Sequence, residues 1–278
     1  MDDGMMEHLK LQFDFKNSML YWYPLVKTIV PTPETYLVVT DPEDVSGWLD
    51  DGIAHHVIKH LRSSAKAIGY PLFMRTDTFS AKHEYLETCY VPDEKALARH
   101  IMMILDMNGM TGIISTPVRA IAIRKFIEPK FRFRAFTDLP IGYELRVFIR
   151  DGVIQCYHYY WPKGSIRFRG DQRLNPPESW QKDLDEMKKH SEGYGMQDVR
   201  GYALAIAQFV EGYWSVDFMM DKAGKWWMID MALGDASYHA PCEYQPEDQR
   251  KQYNENKVEE DREDILGLLA LLDGDMDE

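Results

Sequence analysis

Residues 214–230 read WSVDFMMDKAGKWWMID, two apolar runs that each carry one aspartate, Asp217 and Asp230. Aspartate is depleted in strand interiors, so two of them on neighbouring strands need an explanation. A hard cation such as Mg²⁺ fits, because it takes carboxylate oxygens together with substrate phosphates. Asp221-Lys222-Ala223-Gly224 predicts the turn between the runs, since Gly accepts positive φ and Asp bonds to its own backbone.

Other residues have types suited to an anion. Arg75 ends the apolar run PLFMR and is followed by Thr76, Ser80 and Lys82. A guanidinium fork beside a loop of hydroxyls suits phosphate, and a surface arginine on a strand edge is the plain alternative. Glu144 and Arg146, in GYELRVFI, alternate with apolar residues and so share one face of a strand. That pair is suited either to ribose hydroxyls and phosphate or to a cross-strand ion pair. Lys163 and Arg167-Phe168-Arg169 form a small basic ridge that could meet a terminal phosphate or an acidic co-substrate, or be a solvated loop. His56 and His60 have the i, i+4 spacing of a zinc pair, but no Cys or acidic partner lies near them, and with His55 they read as helix-surface histidines. The aromatic run 157–161 reads as core and cleft wall.

These residues need elements to hold them. A strand is expected at 36–39, a helix at 53–68 ending at Gly69, and a strand at 71–75, which is a β-α-β order. A helix beginning at Pro92-Asp93 and closing at Asn108-Gly109, and a strand at 120–127, follow. Tyr143 to Arg150 and Val153 to Tyr160 flank Asp151-Gly152, the clearest hairpin signal in the chain. Helices are expected at 178–191, 197–211 and 261–272. Residues 1–35 read as mostly irregular, with Leu11, Phe13 and Phe15 alternating and Pro24, Pro31 and Pro33 interrupting. The pattern predicts an α+β fold of two lobes with a ligand cleft between them. The chain divides as an N-terminal α/β part, 1–69, followed by a smaller lobe, 70–127, and a larger one, 128–278.

Composition narrows the partners. Among 278 residues, 45% are apolar, enough for a packed core. The net charge of −13 opposes extended nucleic-acid or acidic-membrane binding, which argues against an RNA-modifying ligase despite KFRFR and RFR. Three cysteines, Cys89, Cys156 and Cys242, lack a CxxC and give neither a disulfide framework nor a zinc ribbon. With no apolar run of about 20 residues and no signal-peptide pattern, a cytoplasmic protein is expected.

In order, these elements resemble the ATP-grasp superfamily over about residues 70 to 240. PLFMRTDTFSAK is similar to that family's cationic strand and phosphate loop. AIRKFIEP is similar to its adenine hinge, which implies Arg124, Lys125, Phe126 and Ile127 around the base. GYELRVFI resembles the segment whose Glu binds ribose, which implies that role for Glu144. Asp217 and Asp230 look like the magnesium pair, and Arg75, Lys82 and Arg146 resemble the branch marked by two arginines and a lysine. The eukaryotic cell-division-cycle chaperones, also similar, act as assembly factors while binding ATP and Mg²⁺.

The resemblance implies ATP and Mg²⁺ as ligands. It also implies a ligase that joins a carboxylate to an amine through an acyl-phosphate, with Arg75, Lys82, Arg146 and Lys163 in the catalytic set. A peptide or protein is among the candidate substrates. The alternative it implies is an ATP-dependent assembly factor without ligase turnover. Two positions depart from the ligase pattern: Ser215 stands where an Arg is usual and Ala232 where an Asn is usual. Asp235 is the residue close enough in sequence to replace that amide as a metal ligand.

Overall fold

The structure, a computed structural model, describes residues 15–41, 53–110, 117–168 and 177–247. The helix expected at 261–272, Arg169, and the alternation at Leu11 and Phe13 lie outside them. After a short helix α1 (Met19–Val26), strands β1 (Thr35–Val39), β2 (Leu72–Thr76), β3 (Tyr90–Val91) and β4 (Ala120–Lys125) form one sheet in the order β1-β4-β2-β3. Every neighbouring pair in it is antiparallel. Helices α2 (His55–Ile68) and α3 (Leu97–Met110) belong to the same unit. The boundary drawn at residue 69 therefore falls inside this sheet.

The alternation of side chains decides what each face does. On the first sheet Leu72, Met74, Ile121 and Ile123 pack with Val57, Leu61 and Ala65 of α2 and with Leu97, Ile101 and Ile104 of α3. The intervening Phe73, Arg75 and Arg124 point the other way and line a cleft. Gly69, at φ +83°, ends α2 as its position in the sequence predicts.

The remaining strands are β5 (Phe131–Ala135), β6 (Leu139–Gly142), β7 (Glu144–Arg150), β8 (Val153–Tyr159), β9 (Tyr213–Met220) and β10 (Trp226–Leu233). β5 and β6 pair with each other, and the other four form an antiparallel sheet in the order β10-β9-β7-β8. Leu145, Val147, Ile149, Val216 and Phe218 share a core with Leu184 and Met187 of α4 (Trp180–His190) and with Val199, Ala203 and Ile206 of α5 (Met196–Ala207). The alternate positions, Glu144, Arg146, Ser215 and Asp217, thus fall on the opposite face. The chain is α+β, with each sheet buried on helices by one face and carrying its polar residues on the other.

Helix α1 corrects the irregular reading of residues 1–35. Ser18 caps it by accepting from Leu20 N at 3.1 Å, and Met19, Trp22, Tyr23 and Val26 are buried. Pro24 reads as a breaker, but in a helix this short and this well buried, packing outweighs the hydrogen bond it removes. The cap also ties α1 to the end of β2. Ser18 Oγ donates to the buried Asp77 carboxylate at 2.6 Å, and Asp77 Oδ1 accepts from Arg119 N at 3.2 Å and Ala120 N at 3.4 Å. Asp77→Ala is expected to lower the unfolding free energy by about 2 kcal/mol, because it strands these donors. Asp77→Asn, which keeps an acceptor, is expected to cost less; urea unfolding of both variants measures this.

Candidate functional site

Asp217 and Asp230 lie directly opposite one another on β9 and β10, and Arg146 of β7 is opposite Asp217 on its other side. Strand parity alone would not bring this about. Met228 pairs with Phe218 and faces the helices, and two residues on Asp230 would share that face. A β-bulge between Met228 and Asp230 shifts the register by one residue and turns Asp230 toward the cleft. The carbonyl of Ile229, in the bulge, accepts from Arg124 Nη1 at 2.6 Å.

Each carboxylate is held by its own arginine. Arg146 grips Asp217 with both arms of its fork, Nε to Oδ1 at 2.8 Å and Nη2 to Oδ2 at 2.9 Å, and its third nitrogen donates to Tyr238 O at 3.1 Å. Burial works against the Arg146 charge, but Asp217, with Tyr160 and Asp230, outweighs it and the guanidinium pKa is raised. Across the cleft, Arg75 Nη1 lies 2.6 Å from Asp230 Oδ1. Burial raises the Asp230 pKa, but Arg75, Arg124 and Lys82 together lower it by more, so the net shift is downward. Arg124 is buried beside Arg75 and pushed down to about 10, first by desolvation and then by that neighbouring charge.

Lys82 follows β2 on the short turn Lys82–Glu84, entered through Ala81 at φ +46°. Its ammonium lies 3.7 Å from the centroid of the Tyr160 ring and 4.6 Å from that of Trp161. It is also 3.9 Å from Glu144 Oε2. Burial opposes its charge, yet Tyr160 and Glu144 raise its pKa overall. Glu144 is buried, and its Oε1 accepts from Trp161 Nε1 at 2.9 Å. Its Oε2 is buried with no hydrogen-bond donor among the described residues. Burial raises the Glu144 pKa against the pull of Lys82 and the Trp161 hydrogen bond.

Most of these groups line one cleft. Arg75, Lys82, Glu144, Asp217 and Asp230 supply its polar wall, with Arg124, Lys125, Phe126 and Ile127 along the segment that leaves β4. Phe73, Met219 and Ile229 supply apolar surface that the sequence reading did not single out. Arg146 stands behind Asp217 and is not a lining residue. Lys163, on the turn Lys163–Ser165, and Asp235, on the turn Gly234–Ala236, are exposed and are not brought to the cleft wall. His55, His56 and His60 are likewise exposed, at the start of α2. Trp161 is the supporting residue that spacing could not identify, since its partner Glu144 is 17 positions away.

The donor set fits a divalent cation. The Arg146 fork uses one lone pair on each Asp217 oxygen and leaves the others, and Asp230 offers an oxygen beyond the one that faces Arg75. Two carboxylates in register suit a hard ion that completes its shell with phosphate oxygens.

No protein-family model and no curated protein sequence matches the chain. Among solved structures it is similar to Cdc123 from Schizosaccharomyces pombe, at 16% identity and a TM-score of 0.46, covering 80% of this chain and 85% of that one. A C-terminally truncated form of the same protein gives 14% identity and a TM-score of 0.49 over the same shares. D-alanine–D-alanine ligase from Bacillus anthracis, complexed with ATP, gives 11% identity and a TM-score of 0.39, over 79% of this chain and 55% of that one. Scores at this level decide nothing about activity.

Removing Arg146 strands a buried charge, so Arg146→Met is expected to destabilise the protein by about 3–5 kcal/mol. The Arg146→Met, Asp217→Asn double variant is expected to lose less than the two single losses added together, and denaturant unfolding of the full cycle measures this. Asp230 supplies a pH test. Its folded pKa lies below its unfolded value, so its contribution to stability is present above the ordinary aspartate pKa and is lost as pH falls through the lowered one. Asp230→Asn should therefore flatten the acid side of the stability–pH profile while leaving its alkaline side unchanged.

Proposed function

We propose that the cleft binds ATP with Mg²⁺ and serves a ligase that activates a carboxylate by phosphoryl transfer. The observation that carries this reading is the convergence of Arg75, Lys82, Glu144, Asp217 and Asp230 on one cleft, although they come from widely separated parts of an acidic chain. Counted together, Arg75, Lys82, Arg124 and Arg146 against Glu144, Asp217 and Asp230 leave a net positive charge where the whole chain carries −13. An excess of fixed cations in a sheltered cleft favours a polyanion.

The roles follow from the geometry. Phe126 and Ile127 offer apolar surface and backbone for a base. Glu144 Oε2, buried and lacking a donor, is suited to accept from a ribose hydroxyl. Arg75 and Lys82 face the space beside Asp230 and are suited to phosphate oxygens, with Arg146 holding Asp217 in place. Magnesium, held by Asp217 and Asp230, would supply charge neutralisation between phosphates. The terminal phosphoryl group passes from ATP to the carboxylate, ADP leaves, and an amine nitrogen then displaces phosphate to form the amide. Positioning and electrostatics suffice for this, and no protein nucleophile is required.

A second reading, an ATP-dependent binding or assembly factor, is favoured by Ser215. That residue is 1% exposed, its hydroxyl lies 2.5 Å from Ser237 Oγ, and no cation stands at its position. ADP release separates the two readings: a ligase is expected to show turnover stimulated by an amine together with a carboxylate, and a binding factor is not. In either case Asp230→Asn and Glu144→Gln should weaken Mg-ATP binding at least about tenfold, about 1.4 kcal/mol, by calorimetry. Wild-type affinity and Mg²⁺ dependence in Asp230→Asn would overturn the assignment.

A further inference from the structure

Beyond Asp235 the chain turns back across the polar face of the second sheet. Ser237 Oγ meets Ser215 Oγ of β9, Tyr238 O accepts from Arg146 of β7, and His239 Nε2 lies 3.1 Å from Cys156 Sγ of β8, the edge strand. This strap is attached largely by polar atoms: Ser237, His239 and Gln245 are its buried residues, with Gln245 Nε2 donating to His239 O at 2.9 Å. A short polar segment lying on a sheet gains little from apolar burial. A stronger fastening is present at its far end.

There the ligand atoms of Cys156, His158, His239 and Cys242 all lie within 4.8 Å of one another. Cys156 and His158 alternate on β8 and so share its face, and His239 and Cys242 are three residues apart in the strap. A tetrahedral zinc centre needs its ligand atoms about 3.4–3.8 Å apart, as its bond lengths require. The cluster is thus close to that geometry before any adjustment of rotamers.

Two further observations concern the same histidines. His158 Nε2 is buried and has no hydrogen-bond partner among the described residues. His239 Nδ1 lies 2.8 Å from Ala240 O, a contact in which it donates, and this leaves the Nε2 lone pair directed at Cys156. A carbonyl that fixes the tautomer of the outer nitrogen is the usual support of a metal-bound imidazole. Phe148, 4.0 Å from His239 between ring centroids, and Tyr213 wall the site with apolar surface.

We propose that Cys156, His158, His239 and Cys242 form a structural zinc site that staples the strap to the edge of the second sheet. Two thiolates and two imidazoles in a closed set select zinc among the common divalent ions, and four protein ligands leave no open position for catalysis. Binding releases the thiol protons to solvent and changes no oxidation state. Since Tyr238, next to His239, accepts from Arg146, the ion would also hold the support of Asp217 in register from the side remote from the cleft. This inference does not depend on the nucleotide reading.

The test is metal analysis of the full chain, purified under reducing conditions without added metal or an affinity tag that binds metal. One equivalent of zinc per chain is expected, and a Cys156→Ser, Cys242→Ser double variant should lose it, whereas a His55→Ala, His56→Ala, His60→Ala variant should keep it. Cobalt(II) added to metal-stripped wild-type protein should give the intense visible bands and thiolate charge-transfer absorption of a tetrahedral site, a readout that does not require the variants to fold. Chelation of the wild-type ion should lower the melting temperature. Folded, reduced wild-type protein that takes up neither zinc nor cobalt would overturn the proposal, as would a weak octahedral cobalt spectrum, or a Cys156–Cys242 disulfide in protein purified under the same conditions.

Discussion

Two carboxylates placed directly opposite each other on adjacent strands repel, and the structure around Asp217 and Asp230 is arranged to hold them there. Like charges in that position destabilise a sheet. Here a guanidinium stands on each outer side, Arg146 on the same sheet and Arg75 from the facing sheet. The row runs positive, negative, negative, positive, so each aspartate has a cation of its own and neither is left alone in a low-dielectric setting. The bulge before Asp230 is what makes the row possible, since it exchanges the face that this residue would otherwise present.

The same contacts join the two sheets. Arg75 and Arg124 belong to the first sheet, and they reach Asp230 and the carbonyl of Ile229 on the second. Helix-facing apolar residues of the first sheet form one cluster, and the cluster of the second sheet also takes in Ala122 and Phe73 from the cleft side of the first, so apolar contact joins the lobes as well. The cations of the cleft are thus positioned by the fold before any ligand arrives. Lys82 is held by Tyr160, Trp161 and Glu144, which keep its ammonium in the cleft although it follows a loop. Preorganised charge of this kind needs no rearrangement at the moment of binding.

Much of this was legible in the sequence wherever local chemistry decides structure. Asp151-Gly152 between two alternating runs identified the β7–β8 hairpin, with both residues at positive φ as such a turn needs. Glu144 and Arg146 were placed on one face by parity, and Gly69 marked the end of α2. What remained hidden depends on distant partners. The apolar burial that lets α1 contain Pro24 is tertiary, and the β10 bulge leaves no mark in the residues themselves. Arg146 reads from its type either as a phosphate ligand or as half of a cross-strand ion pair, and the partner that decides it, Asp217, is 71 positions away. The Cys-x-His and His-x-x-Cys pairs are short and unremarked singly, and the fold brings them together across 83 positions.

The central claim is that the aspartate row and the cations around it form a nucleotide site. A crystal structure of the full chain grown with a non-hydrolysable ATP analogue and Mg²⁺ tests it most directly. The account expects the base against Phe126 and Ile127, a ribose hydroxyl on Glu144 Oε2, phosphate oxygens on Arg75 and Lys82, and the ion bound by Asp217 and Asp230. A nucleotide bound elsewhere, or a cleft that keeps the Arg75–Asp230 pair closed and empty at saturating analogue, would contradict it.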